Sequence, residues 1–578
     1  MEQKTCKQCN QEFEITNVDL EFYKKVSPTF DGPEGATSEG KQYLIPPPTL
    51  CPECRWRRRI TFRNERELYK RKCDLSGKDI LSMYPPDVPF PVYYITEWFS
   101  DKWNPMDYGK DFDFSKTFFE QFKNLSNKVP RFHAYIDPLV QENSEYTNCA
   151  IGMKNCYLVS QATDCEDCYY SRGIHNSKDC CDCLRTNKSE LCYECVNAFN
   201  DFRCFFCQDC SNCSDCYFSS DLRGCKNCFG CHSLQQKQYY IFNKSVSKEQ
   251  WEAFAKKNFS FTNNSIEEFK RKSYEIRMQV PHRFAHLLKC ENCTGDHLVE
   301  SKNATACFDS RELENCNYCY EMTLGAKDCH DFSMTGKDCE IVYEAMGCGY
   351  STKNCAFITN CRQNVSGLYY CDSCFPQVNN CFGCIGLKNS EYCILNKQYS
   401  KEEYEKLVAK IIGHMNKTNE WGEFFPVGLS PFSYNKTLAF DYFPISKDEA
   451  SQNNLKWQDK DQFTYSGEFE IPNPDISFYK ENTQEVGKIL TGVLKCKITG
   501  RPFKINPQEL AFYIHNDLPI PDKHYETRYQ ERIARRNPRR LWRRKCMNGG
   551  CNNKFETTYA PDRPERVFCE KCYQKEMT

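Results

Sequence analysis

Eight cysteines in two quartets carry the clearest chemistry in this chain. Cys6, Cys9, Cys51 and Cys54 form two C-x2-C knuckles, and Cys546 and Cys551 stand with the knuckle Cys569–Cys572. Four thiolates so spaced match tetrahedral zinc, which accepts sulfur ligands and closes a structural site with four of them. The expectation is about two structural zinc ions per chain, one near each end.

The two ends are copies of one module. Aligned without a gap, Cys51–Cys73 runs beside His524–Cys546, matching Glu53/Glu526, Arg55/Arg528, Arg59/Arg532, Arg63/Arg536, Asn64/Asn537 and Arg66/Arg539 among others. The likeness extends upstream, from Cys6 and Cys496, and downstream, from Tyr84 and Tyr559. Each copy keeps the quartet that the other has lost. Cys496, Thr499, His524 and Thr527 stand at the first set of positions in the C-terminal copy, and Cys73, Ser76, Tyr94 and Glu97 at the second set in the N-terminal copy. Cys73 and Cys496 are therefore expected in a hairpin core without metal.

A second chemistry lies between the quartet positions. Arg55–Lys72 holds nine Lys or Arg, and Arg528–Lys545 also holds nine. Arginine meets phosphate bidentately and Trp56 and Trp542 offer stacking surfaces, so these segments suit RNA or a ribonucleoprotein. Arg57, Arg58, Arg63, Arg535, Arg536 and Arg540 are the expected phosphate contacts. Protein docking and internal ion pairing are the rival uses of the same residues.

The elements that position these groups begin with composition. With 40% hydrophobic and 27% charged residues the chain is globular, and a net charge of −1 gives no global pull toward nucleic acid. The opening MEQKTCKQCN has no apolar run, and no stretch reaches the ~18 apolar residues of a membrane span, so no membrane association and a cytoplasmic location are expected. In a reducing compartment most of the 42 cysteines would be small buried hydrophobes.

Seventeen cysteines fall between Cys149 and Cys231 and fifteen between Cys290 and Cys393. The blocks end alike, in NCFGCHSLQQKQYYIFNKSVSKEQWEAFAKK from Asn227 and NCFGCIGLKNSEYCILNKQYSKEEYEKLVAK from Asn380. Cys192, Cys195, Cys204, Cys207 and Cys210 recur 21 residues on, and Cys316, Cys339, Cys361 and Cys384 step by 22 to 23. Such periods mean stacked repeats, with Asn and Asp at left-handed corners and thiols stacked inside. Ser247 and Ser400 each open a helix with the Ser-x-x-Glu/Gln spacing of a capping box, expected to cover an open end. The spacing of three from Cys204 to Cys216 also suggests an iron–sulfur site superficially, but it continues as part of the repeat.

The expected fold class is mainly β: a cysteine-rich parallel β-helix in two duplicated halves, each closed by a helix and flanked by homologous zinc-ribbon modules. The expected domains are an N-terminal module (1–97), an aromatic connector (98–145), a first β-helix half with its helix (146–257) and a helical linker (258–289). A second half (290–412), a return segment (413–495) and a C-terminal module (496–578) follow. No Walker loop, Rossmann glycine pattern, nucleophile elbow or HExxH is present, and His133, His175 and His286 read as core or surface residues, so no enzyme is expected.

The phrases PTLCPECRWRRRITFRNERELYKRKCDLSGKDILSMY, FGCIGLKNSEYCILNKQYSKEEYE and YAPDRPERVFCEKCY resemble those of a family of large cysteine-rich zinc-ribbon proteins of candidate-phyla bacteria. The resemblance covers nearly the whole chain and implies ribbons and zinc but no activity. Knuckles in that family are more complete, so Thr499 and Ser76 are departures. The functional expectation is a non-enzymatic zinc-stabilised scaffold binding RNA or a ribonucleoprotein. The alternatives are a protein-interaction or self-assembling solenoid, including a homo-oligomer, and a metal-storage or redox thiol protein.

Overall fold

The computed structural model describes residues 1–30, 40–337, 339–459 and 467–577. It is mixed α/β with many parallel strands, 29% strand and 25% helix, so the expected mainly-β class needs correction. The helix beyond the expected closing helices and linker lies in the return segment and the end modules. Lys248–Asn258 and Asn263–Gln279 join the blocks, Lys401–Lys417 follows the second, and Leu438–Tyr442, Lys447–Gln452 and Thr483–Thr491 lie in the return segment. Residues 460–466 of that segment lie outside the described residues. The two serine caps form as expected, Ser247 with Gln250 and Ser400 with Glu403.

In the first block the backbone repeats every three residues. Asp164, Asp167, Asp179, Asn197 and Asn212 have φ between 50° and 55°, the left-handed region that Asn and Asp tolerate best. Leu158, Tyr170 and Phe206 adopt it too, at 51° to 60°. Left-handed backbone costs such residues roughly 1–2 kcal/mol each. The stacking of neighbouring repeats must offset that cost.

Parallel bridges supply the stacking. Tyr157 pairs with Tyr169, Tyr169 with Cys181, Cys181 with Tyr193 and Phe205 with Tyr217, each 12 residues on. In the second block the step is 12 at Lys302↔Glu314 and 13 at His330↔Tyr343, Thr352↔Val365 and Ser366↔Asn379. Stacked copies are thus 11 to 13 residues apart, not the 21 to 23 read from cysteine recurrence. With one inward residue in three, any spacing divisible by three returns a thiol to the interior, and 21 does so without being the vertical step.

The hydrogen bonds explain why thiols fill the interior. The N–H groups of the residues beside each inward position donate to the ladder, as Tyr157 does to Cys168 O and Tyr170 to Tyr157 O, both at 3.0 Å. The inward residue's own N–H turns into the core and meets the side chain of the preceding stacked copy. Cys183 N–H donates to Ser171 Oγ at 2.9 Å, Cys213 N–H to Asp201 Oδ1 at 2.8 Å, and Cys319 N–H to Cys307 Sγ at 3.4 Å. The thiols also donate, as Cys168 Sγ does to Glu166 O at 3.2 Å. A buried N–H left unpaired costs about 1–3 kcal/mol, so small side chains with an acceptor are favoured in the column, although alanine, valine, isoleucine and leucine share it. Cysteine and serine meet both conditions, and alanine meets only one.

Each end module contains two antiparallel hairpins. Glu2–Thr5 pairs with Glu12–Ile15 and Tyr69–Lys72 with Asp79–Ser82; their copies are Leu494–Lys495 with Pro502–Phe503 and Trp542–Lys545 with Lys554–Thr557. The basic segment between the hairpins opens with a helix, Pro52–Ile60 in one copy and Tyr525–Ala534 in the other. The aromatic connector packs as core: Phe118, fully buried, meets Tyr370 and Phe382 of the second block with ring centroids 5.1 and 5.5 Å away.

Cys307 tests the acceptor role of the interior thiols. Cys307→Ala should lower stability by about 1–3 kcal/mol through the orphaned Cys319 N–H, while Cys307→Ser should cost less although serine is more polar. Urea unfolding of the two variants decides. An alanine variant as stable as the serine variant would mean that size alone selects the interior residues.

Candidate metal centres and the arginine segments

Both cysteine quartets close in space. The Sγ atoms of Cys6, Cys9, Cys51 and Cys54 lie within 4.8 Å of one another, as do those of Cys546, Cys551, Cys569 and Cys572. Cys9 and Cys51 sulfurs are 3.7 Å apart, and those of Cys551 and Cys569 3.9 Å. Four sulfurs held about 2.3 Å from a tetrahedral centre are about 3.8 Å from each other, so both groups have the dimensions of a metal-thiolate site. A hydrogen bond from Cys54 brings the Cys51 thiol down to about 5 and raises Cys54 itself, so the pair holds one proton between them. Burial raises the Cys9 thiol. The hairpin turn supplies one knuckle and the start of the following helix the other, with Cys51 at the N-cap of Pro52–Ile60.

The positions that lost their quartets are filled by hydrogen bonds. Cys73 Sγ donates to Glu97 Oε2 at 2.8 Å and accepts from Tyr94 N–H at 3.3 Å. That bond also lowers the Glu97 carboxyl. In the other copy Cys496 Sγ lies 3.6 Å from Thr527 Oγ1, and His524 Nδ1 accepts from Glu526 N–H at 3.0 Å as the cap of its helix. Cys73 and Cys496 are 2% and 1% exposed, as expected for hairpin-core residues.

The arginine segments turn inward. The helical spacing of four puts Arg55 and Arg59 on one face, where both grip Asp331 of the second block: Arg55 Nη2 at 2.8 Å and Arg59 Nη1 at 3.0 Å. The matching residues of the other copy, Arg528 and Arg532, grip Asp182 of the first block at 2.7 and 2.8 Å. All six side chains are at most 3% exposed. Each module thus clasps the block more distant in sequence from it. Nothing in the sequence distinguishes Asp182 or Asp331 from the many other corner residues.

The six arginines expected at phosphate have the following places. Arg58 holds both carboxylate oxygens of Glu344, at 2.8 and 2.9 Å, and Glu423 at 3.1 Å. Arg57 donates to Tyr434 Oη at 2.9 Å, and Arg63 pairs with Glu65 at 2.8 Å. Arg535 donates to the carbonyls of Glu194 and Cys207, and Arg536 pairs with Asp309. Arg540 remains 46% exposed, with Glu53 at 3.9 Å.

Around Glu321 and Asp309 the four parts of the chain share one buried network. Arg172 of the first block meets Glu65 at 2.7 Å and Glu321 at 3.0 Å, Arg185 meets Asp309 at 3.2 Å, and Arg539 of the C-terminal module meets both acids. Burial raises the Glu321 carboxyl, but Arg172, Arg539 and Arg185 together outweigh it and hold the group well below the usual carboxylate range. The two modules also touch directly, Arg66 meeting Glu526 at 2.7 Å with its guanidinium 3.6 Å from the Tyr529 ring centre.

Comparison with protein-family models, curated proteins and solved structures finds no match. No helix among the described residues is long and apolar enough to cross a membrane.

The sequence reads His133 and His175 as core or surface residues; His133 is buried and His175 partly so. His133 Nδ1 accepts from Ile95 N–H at 3.0 Å, and His175 Nδ1 lies 3.0 Å from Thr163 Oγ1. Burial depresses both to about 4, and His232 to about 3. Their folded values lie below the ordinary ~6.5, so the unfolded chain binds more protons below that pH. Their contribution to stability is complete above pH ~6.5 and is lost as pH falls toward 4. Thermal unfolding followed from pH 7 to 4 should show this loss, and His175→Gln should flatten it; a slope unchanged by the substitution would exclude the histidine as a cause.

Proposed function

We propose that the protein is a non-enzymatic scaffold stiffened by structural zinc, in which two β-helical coils are clasped by two zinc-ribbon modules and present a rigid surface to protein partners. The observation that carries this is the fate of the arginines: the segments richest in cations face carboxylates and carbonyls of their own chain. Arginine is the cation suited to such buried pairing, because its planar fork satisfies both oxygens of one carboxylate.

The coil follows from two regularities. One left-handed residue in three and a parallel step of 12 imply four three-residue sides per turn in the first block. The second block widens one side where its step reaches 13. Zinc is favoured at the quartets by their all-thiolate donors and their tetrahedral dimensions. None of the 42 cysteines is in a disulfide, which suits a reducing compartment such as the cytoplasm.

RNA is the second reading, moved to a different surface. On the second hairpin of each module, equivalent residues face solvent: Lys70 and Lys72 in one copy, Arg543 and Lys545 in the other. Their charge is partly matched, Lys72 by Asp79 at 3.1 Å and Arg543 by Glu556 at 3.6 Å.

Binding of RNA and DNA across a salt series separates the two readings. The wild-type chain is compared with one carrying Lys70→Gln, Lys72→Gln, Arg543→Gln and Lys545→Gln. The scaffold reading expects weak binding with the same shallow salt slope in both proteins. A steep slope that flattens in the variant would overturn it in favour of phosphate contact at the hairpins.

A further inference from the structure

A cavity of about 330 Å³ opens between the first block, the linker helix Asn263–Gln279 and the clasp helix Tyr525–Ala534 with the Arg535 that ends it. That volume is at the lower end of the range that holds small ligands. Helical spacing brings Lys270, Ser273, Tyr274 and Arg277 of the linker to this one side. Phe206 and Phe218 of the first block, stacked with centroids 4.5 Å apart, give the wall an apolar part, and Tyr274 at 53% exposure adds a ring that solvent reaches.

The charges around the cavity do not balance. Lys270, Arg277, Lys523, Arg532 and Arg535 line it against Glu194, Glu267 and Glu531. Asp182 takes Arg532 at 2.8 Å, Glu194 takes Lys270 at 3.1 Å, and Lys523 lies 2.8 Å from Glu531 and 3.6 Å from Glu267. Arg277 and Arg535 have no such ion pair among the described residues. Arg535 donates to the uncharged carbonyls of Glu194 and Cys207, at 2.9 and 3.1 Å, and Arg277 Nε is buried with no hydrogen-bond partner. Burial depresses the Arg535 guanidinium, Glu194 opposes that, and Arg277 lowers it further, so the two cations feel each other. Asp209 lies in the field of Arg277, but its contacts are Asn197 and His297.

The other copy of the module shows that the clasp does not need this cation. The position of Arg535 is occupied there by Phe62, whose ring packs 5.8 Å from Phe424, and that of Lys523 by Leu50. Arg528 and Arg532 have counterparts in Arg55 and Arg59, whereas the cations that face the cavity belong to one end alone.

We propose that this cavity binds a small molecule through a phosphate monoester, received by Arg277 and Arg535, with the organic part of the ligand against Phe206, Phe218 and Tyr274. A phosphate monoester brings close to two negative charges and three acceptor oxygens, which matches two guanidinia whose remaining N–H groups are open. The site would add ligand binding to a scaffold, at the seam where the C-terminal module meets the first block.

The test is calorimetric titration of the full-length, zinc-loaded chain with inorganic phosphate, phenyl phosphate and benzoate. Phenyl phosphate should bind one per chain and more tightly than inorganic phosphate, and benzoate should bind more weakly than either. Arg277→Gln should weaken phenyl phosphate by about tenfold or more, while Lys272→Gln, on the same helix but outside the cavity, should leave it unchanged. A wild-type chain with no saturable one-to-one binding below about 10 mM would overturn the proposal, whether or not the variants fold. So would equal weakening by the two substitutions, which marks general surface attraction. A short RNA without a terminal phosphate that displaces phenyl phosphate would also overturn it, by assigning the cations to a nucleic-acid backbone.

Discussion

The structure depends on one repeated interaction: two arginines, four residues apart on a helix, enclosing a single buried aspartate. Arg55 and Arg59 enclose Asp331, and Arg528 and Arg532 enclose Asp182. A buried carboxylate is costly to desolvate, and one guanidinium leaves part of its hydrogen-bonding capacity unmet. Two guanidinia place a cation against each oxygen. Because the arginines belong to the end modules and the aspartates to the blocks, each carboxylate is neutralised only where a module sits on its block.

Duplication made this arrangement possible. The copies conserve the clasp while exchanging their metal chemistry, so one keeps the first quartet and the other the second. Where thiols were lost, a Cys73–Glu97 hydrogen bond and a His524 helix cap took over the local geometry. The N-terminal module seats on the second block and the C-terminal module on the first, and Arg66–Glu526 joins the modules to each other. The chain is therefore closed by crossed contacts rather than assembled as a string of independent units.

Much of this was legible in residue spacing. Both quartets gather as their knuckles indicate, the two caps form at Ser247 and Ser400, and Cys73 and Cys496 lie buried in their hairpins. The vertical step of the blocks was not legible, since every multiple of three keeps a thiol inside and the cysteines recur most visibly at 21. The role of the arginines was also hidden. Nine cations in eighteen residues look the same whether they face phosphate or buried carboxylates, and their partners Asp182, Asp331, Asp309 and Glu321 lie hundreds of residues away or at unremarkable corners. Helix content was missed in the return segment and the end modules, as at Leu438–Tyr442, Thr483–Thr491, Asn17–Val26 and Pro507–His515.

A double-mutant cycle between Arg59 and Asp331 tests the clasp most directly. Unfolding free energies are measured for the wild type, Arg59→Gln, Asp331→Asn and the double variant. A clasp predicts that the double variant is less destabilised than the sum of the singles, with a coupling of about 1 kcal/mol or more. Additive effects would contradict it, because Arg59 would then owe its place in the core to something other than Asp331.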